Sequence, residues 1–388
     1  MLLGKTSPMR GASFLALCEL AFARGRFALM GAVIALIAVL MVLLNGLSVG
    51  LVNDGVSGLQ KLPVTSFAFQ DGVKKDAAFS RSVVDTRAVR TWAGQPGVAD
   101  AAPFGNTLVN GRTDRGVDID LALFGVERGS FLDPDVQQGR RLVADGEIVV
   151  SASAAEQGVE LGDAVVLEPS GQRLRVVGIL GGQHTYGHVD VAYLTLHTWQ
   201  QARAGLGDGE PVPPRVLHEA TAVAVRAAPG ADVDLAAGDA AAGTTSMTLE
   251  QSYGASPGYT AETSTLRLIQ VFLYLISALV VGAFFTVLTI QRKGEIAVLR
   301  ALGASTRYLL QDSLIQSVVL LVLSAAAGIA AGVGLGAAIA TTQIPFALEA
   351  GPIAGATALL LVLGLGGAAV AVLRITRVDP LAALGANR

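Results

Sequence analysis

Four stretches of the chain are apolar for long enough to cross a bilayer, which takes roughly 20 residues. Phe27 to Asn53 (FALMGAVIALIAVLMVLLNGLSVGLVN) carries no charge, and neither does Leu268 to Gln291, which Arg267 and Arg292 bound. Ser313 to Leu348 is longer than one span needs, and Pro345 predicts that its helix stops early. Gly351 to Leu373 runs up to Arg374. Between the first two runs the pattern changes to short alternating segments separated by glycine turns, the signature of a mixed α/β domain. The spacing predicts a helix over Ser80 to Ala93, broken by Pro96-Gly97. It predicts strands over Val117 to Val126, Glu147 to Ser151, Ala164 to Leu167, Leu174 to Leu180, Val189 to Leu196 and Ala220 to Ala227. A short helix is expected over Ala152 to Gly158, and a surface helix or loop over the Ala/Asp/Gly-rich Ala231 to Gly243.

Positive charge orients the spans, because loops on the cytoplasmic side are enriched in Lys and Arg. Lys5, Arg10, Arg24 and Arg26 precede the first span. Arg292, Lys293, Arg300 and Arg307 lie between the second and third, and Arg374, Arg377 and Arg388 follow the fourth. The turn between the third and fourth holds only Glu349. Residues 53–266 hold 16 Lys+Arg against 26 Asp+Glu, while the rest of the chain holds 12 against 5. The overall net charge of -3 therefore conceals an acidic outer domain on a basic membrane part. The expected fold is membrane α-helical: four transmembrane helices, both termini cytoplasmic, and a large extracytoplasmic α/β domain between helices 1 and 2. The first run is too long for a signal-peptide core and lacks a clean A-x-A site, so it reads as an uncleaved span.

In segments, the expectation is an amphipathic cytoplasmic N-terminal helix (1–26), span 1 (27–52), the outer domain (53–266) and span 2 (267–291). A cytoplasmic helix (292–308), span 3 (309–344), span 4 (351–374) and a cytoplasmic tail (375–388) follow. Of the 388 residues, 52% are hydrophobic and 15% charged, against about 25% charged in ordinary soluble domains. This balance excludes a disordered chain and a basic nucleic-acid binder. The single cysteine, Cys18, excludes an internal disulfide; it lies on the amphipathic stretch Phe14 to Phe27, where burial against the membrane face is expected.

Enzymatic motifs are missing. Gly4-Lys5-Thr6 echoes the end of a phosphate-binding loop, but no strand can precede it this close to the start. H-E-x-x-H and C-x-x-C do not occur. His184 and His188 flank Tyr186 in GGQHTYGHVD; the glycines on both sides predict a hydrogen-bonded loop rather than a metal-binding helix face. Gly46 and Gly50, and Gly328, Gly332 and Gly336, recur every four residues inside spans, the spacing of close helix contacts. The segment QRKGEIAVLRALGASTRYLLQDSL pairs an apolar side (Ile296, Leu299, Leu302, Leu309) with a charged one (Arg292, Lys293, Glu295, Arg300, Arg307). It reads as a docking element that can pass a push from a soluble partner into the spans it joins.

The stretch RKGEIAVLRALGAS resembles the R-x-x-E-I-x-x-L-R-A-x-G-A-S signature of the FtsX/MacB-like permeases of ATP-binding cassette transporters. The tail from Arg377 to Leu384 (RVDPLAAL) resembles their R-x-D-P-x-x-A-L motif, and the order of one span, outer domain and three spans matches as well. The resemblance implies a homodimeric permease with two copies of a separate ATPase subunit, which consumes the ATP. It implies mechanotransmission from cytoplasm to outer domain, no intrinsic cofactor and no catalysis by this chain. Arg292, Glu295 and Arg300 take the ATPase-coupling role by position in the family's coupling helix.

More narrowly, the exit from span 1 (LLNGLSVGLVNDGVSGLQKLPVTSFAFQ) resembles that of the haem-exporting permeases of Gram-positive bacteria (HrtB-like). That resemblance implies haem as substrate. Haem iron accepts Met, His, Cys or Tyr ligands. Candidate substrate-binding residues just before span 2 are Met247, Tyr253 and Tyr259, with the carboxylates Glu250 and Glu262. These aromatics also suit an ordinary membrane interface. Two other readings stay open on these residues: a signal-transmitting regulator of cell-wall hydrolases, and a permease releasing lipid or lipoprotein.

Overall fold

The computed structural model describes residues 24–291, 305–342 and 344–376, with positions 294, 298 and 303 between. In chain order, helix α1 (Arg24–Gln60) leads to β1 (Ser66–Gln70), α2 (Ala78–Arg81), β2 (Val84–Asp85) and α3 (Ala88–Ala93). Next come β3 (Val98–Thr113), β4 (Asp118–Val126), β5 (Val136–Gly139), β6 (Glu147–Val150) and α4 (Ala152–Glu156). β7 (Ala164–Glu168), β8 (Arg173–Leu180), β9 (Thr185–Tyr186), β10 (Val189–Thr195) and α5 (Leu196–Arg203) follow. The domain ends with β11 (Glu219–Ala220), β12 (Ala222–Ala227), α6 (Leu235–Ala242), β13 (Thr244–Thr248) and α7 (Leu249–Ser252). Three long helices complete the chain: α8 (Tyr259–Gln291), α9 (Thr306–Ile339) and α10 (Ala350–Thr376). Contacts divide it into two units, one of residues 1–50 and 265–388, the other of residues 51–264.

In the first unit, the four long helices are apolar enough to cross a membrane. They share cores built from Phe27, Met30, Ile34, Val281, Phe285, Leu320, Leu321 and Ala368, and from Ile37, Ala38, Met41, Ala325 and Leu360. Leu275, Leu279, Leu323 and Val362 stay exposed, as lipid-facing side chains should. The glycine repeats are intramolecular contacts. A Cβ on Gly328 would lie 2.3 Å from the Ala35 carbonyl oxygen, and one on Gly332 2.9 Å from Val42 Cβ. One on Gly46 would lie 2.2 Å from the Phe346 ring. Small residues thus let α9 and the 344–348 turn close onto α1.

The second unit is built on an 11-stranded sheet, order β13-β1-β12-β3-β4-β10-β6-β8-β5, with β7 on β3 and β8 and β9 on β10. The β4/β10 and β6/β8 pairs are parallel. One core gathers Phe67, Phe69, Phe79, Phe104, Phe124, Tyr186 and Tyr193, with ring centroids 5.0–6.2 Å apart. A second core holds Leu121, Leu123, Ile148, Val150, Leu174 and Leu194 around Trp199. Gly125 is required there, since a Cβ would lie 2.5 Å from Trp199 Cβ.

Two expectations change and one open alternative closes. The single helix over Ser80 to Ala93 is two short helices, interrupted because Val84–Asp85 pairs with Glu219–Ala220. The Asp85 carboxylate accepts from Arg87 N and from its guanidinium, fixing the turn between them. Ala231 to Gly243 resolves into α6, capped by Asp234 and ended by Gly243 in the left-handed region. Met247 sits on β13 opposite Phe67 and is 2% exposed. It belongs to the aromatic core, which removes it from the substrate-binding set. Cys18 and the N-terminal helix, Arg292, Glu295, Arg300 and the RVDPLAAL tail lie outside the described residues.

Candidate functional site

The site that brings together the most chemistry lies where the outer ends of α1 and α8 meet the β9–β10 hairpin, all within residues 51–264. Tyr186 pairs with Val189, so the connection is the two residues Gly187 and His188. Both have positive φ, 60° and 65°, as a tight hairpin turn of this length favours. For histidine that backbone is uncommon, and the contacts of its ring hold it there. His188 Nδ1 is 2.8 Å from Asp54 Oδ2 on α1, and Nε2 is 3.0 Å from Glu262 Oε2 on α8. The imidazole thus bridges the two helices that lead to spans 1 and 2.

Polar contacts reinforce the bridge. Gly187 N donates to Gly55 O at 2.8 Å, and the Ser256 hydroxyl donates to the same oxygen at 3.2 Å. Ser57 and Thr185 share a buried hydroxyl pair at 2.9 Å, and Thr185 also donates to Asn53 O. Gly58 admits the hairpin, because a Cβ there would lie 2.7 Å from Val191 and 3.0 Å from Thr185 O.

Electrostatics favour the charged imidazole. Burial works against it, but the Asp54 hydrogen bond and the fields of Glu262 and Asp54 outweigh burial and raise the His188 pKa above its ordinary value. Asp118, Asp120 and Asp190 line the adjoining cavity, so its other charged side chains are all acidic. A histidine with a raised folded-state pKa contributes stability that is complete below about pH 6.5 and is lost as pH rises through the folded value. Thermal unfolding of the purified protein should therefore show a melting temperature that falls as pH rises above about 6.5. His188→Asn, which tolerates the left-handed backbone, should flatten that slope; an unchanged slope would remove the bridge from the stability of this region.

Of the sequence-predicted residues, Tyr253, Tyr259 and Glu262 come together here. The two tyrosine rings pack edge-on with centroids 6.2 Å apart. Burial, and then the neighbouring Tyr259 and Glu250, raise the Tyr253 pKa, which disfavours a phenolate. Glu262 is engaged by His188 and packs on Gly258, where a Cβ would lie 2.8 Å from its Oε1. Glu250 is exposed on α7. Asp54 is the member of this bridge that no motif marks. The signal that could have found it is its position, a lone acid at the outer edge of an uncharged run of helix.

Residues 27–242 match the MacB-like periplasmic core domain, and residues 267–380 the FtsX-like permease C-terminal domain. The chain belongs to the FtsX/MacB family of ABC transporter permeases. Such a permease is a membrane protein with a large extracytoplasmic domain between its first two transmembrane helices, and the α/β unit is that domain. The permease is 24% identical to a Staphylococcus epidermidis protein named as hemin transport system permease protein HrtB, covering 95% of this chain and 98% of that one. A Staphylococcus haemolyticus protein of the same name is 22% identical over 95% and 97%. A Mycobacterium tuberculosis protein described as an uncharacterized ABC transporter permease is 26% identical over 88% and 90%. Among solved structures, the extracellular domain of the noncanonic ABC-type transporter YknZ from Gram-positive bacteria aligns at 16% identity, covering 48% of this chain and 98% of that one, TM-score 0.34. The periplasmic region of MacB from Actinobacillus actinomycetemcomitans aligns at 14%, covering 48% and 91%, TM-score 0.36.

Proposed function

We propose that this permease exports haem from the membrane, as a homodimer driven by two copies of a separate ATPase subunit. The observation that carries the reading is the end-to-end match to proteins named for hemin transport, spanning nearly the whole of both chains. The positive-inside pattern supports a cytoplasmic position for both termini and the 292–308 segment, where an ATPase can dock. Closure of the ATPase subunits moves that segment and, through it, the transmembrane helices. Asp54 on α1 and Glu262 on α8, bridged by His188, pass the movement into the extracytoplasmic domain. Substrate is displaced outward without a continuous pore.

Co-expression with the ATPase in haem-sensitive cells should lower cell-associated haem several-fold and raise haem tolerance. An ATPase variant unable to hydrolyse ATP should do neither. Unchanged haem content and tolerance with both wild-type subunits present would overturn the haem reading and return attention to hydrolase regulation or lipid release.

A further inference from the structure

A cavity of about 510 Å³ opens in the extracytoplasmic domain at the end of α1, within the range of small-molecule sites. Leu62, Phe131, Leu132 and Leu180 give it apolar walls, and Lys61 and His184 give it chemistry. Lys61 Nζ donates to Gln183 O at 2.5 Å and forms no ion pair among the described residues. The acids of the lining, Asp133 and Asp135, share Arg141 as counter-charge. Lys61 is therefore the cation left for an incoming anion.

His184 is the neutral partner. Burial and then the charge of Lys61 lower its pKa, favouring the uncharged ring. Nδ1 lies 3.2 Å from Gly182 O, which can only accept, so Nδ1 carries the proton. That tautomer leaves Nε2 as a Lewis base in the wall of an open cavity, the form in which imidazole binds a metal centre.

Resting on the haem reading above, we propose that this cavity is a cargo site of the extracytoplasmic domain. It takes a planar, apolar metal chelate with carboxylate arms, binding the metal through His184 Nε2 and a carboxylate through Lys61. The ligand is haem or a molecule of its chemistry, and the site is separate from the tyrosines beside span 2.

Full-length permease in detergent, titrated with ferric haem and with metal-free protoporphyrin, separates the two contacts. The wild type should shift the Soret band. His184→Ala and His184→Gln should weaken haem binding at least tenfold and move the band, while leaving protoporphyrin binding unchanged. Lys61→Ala should weaken both porphyrins several-fold, with Lys61→Arg restoring them. A wild-type spectrum and affinity in both His184 variants would overturn this site and leave the haem reading intact. Absence of haem binding by the wild type would overturn both.

Discussion

Permease carrying Glu295→Lys is expected to insert in the membrane as the wild type does but no longer to stimulate its partner ATPase. In the sequence Glu295 stands three residues after Arg292 and five before Arg300, in the R-x-x-E-I-x-x-L-R pattern. Two unit charges about 4 Å apart near a protein surface interact by about 4 kcal/mol. Reversing one therefore turns attraction into repulsion of the same order at each contact it makes. The apolar residues Ile296, Leu299 and Leu302 keep their identity, so insertion and stability should hold. The ATPase rate of the reconstituted complex should fall at least tenfold, towards that of the ATPase alone, with Glu295→Gln in between. A variant that assembles and stimulates normally would remove Glu295 from the coupling surface.

The second large effect is steric. Gly328→Leu places a branched side chain where even a Cβ would lie 2.3 Å from the Ala35 carbonyl and 2.7 Å from Ala38 Cβ. Neither neighbour can rotate away, because one is backbone and the other is a methyl attached to it. Overpacking of this kind costs about 1–3 kcal/mol even in forgiving cores, and a backbone collision is less forgiving. The folded yield of purified protein should fall several-fold, with a lower unfolding temperature. Gly334, on the same helix, has nothing within 4 Å of the point where a Cβ would stand, so Gly334→Leu is the matched control. Equal behaviour of the two variants would show that the loss reflects the glycine and not the contact with α1.

The membrane helices are legible in the sequence because an uncharged run of this length has no other stable home. β4, β6, β7, β8 and β10 are legible because their apolar residues alternate or cluster between glycine turns. β3, the longest strand, is not, because VADAAPFGNTLVNGRT contains a proline, two glycines and two asparagines. Those breakers are tolerated by tertiary context: Gly105 lies against the Trp199 ring, where a Cβ would approach to 2.3 Å. Met247 misleads because a thioether among tyrosines and glutamates looks like a ligand set, whereas its pairing opposite Phe67 on β1 sets it in the aromatic core. The glycines around His184 and His188 mark a hydrogen-bonded loop, and such a loop forms. Its partner Asp54 is 134 residues from His188, a distance at which sequence spacing carries no information and only topology creates the contact.

Strand β1 leaves the helix of span 1 almost at once, yet its partners are β12 and β13, at Ala222–Ala227 and Thr244–Thr248. During biosynthesis the segment Ser66–Gln70 therefore emerges on the far side of the membrane long before either neighbour has been exported. Its phenylalanines, Phe67 and Phe69, must wait unpaired through the translocation of most of the domain. Such late, long-range pairing makes folding slow and leaves apolar surface open to misassembly. A chain interrupted before residue 222 would leave that first strand with neither of its sheet neighbours.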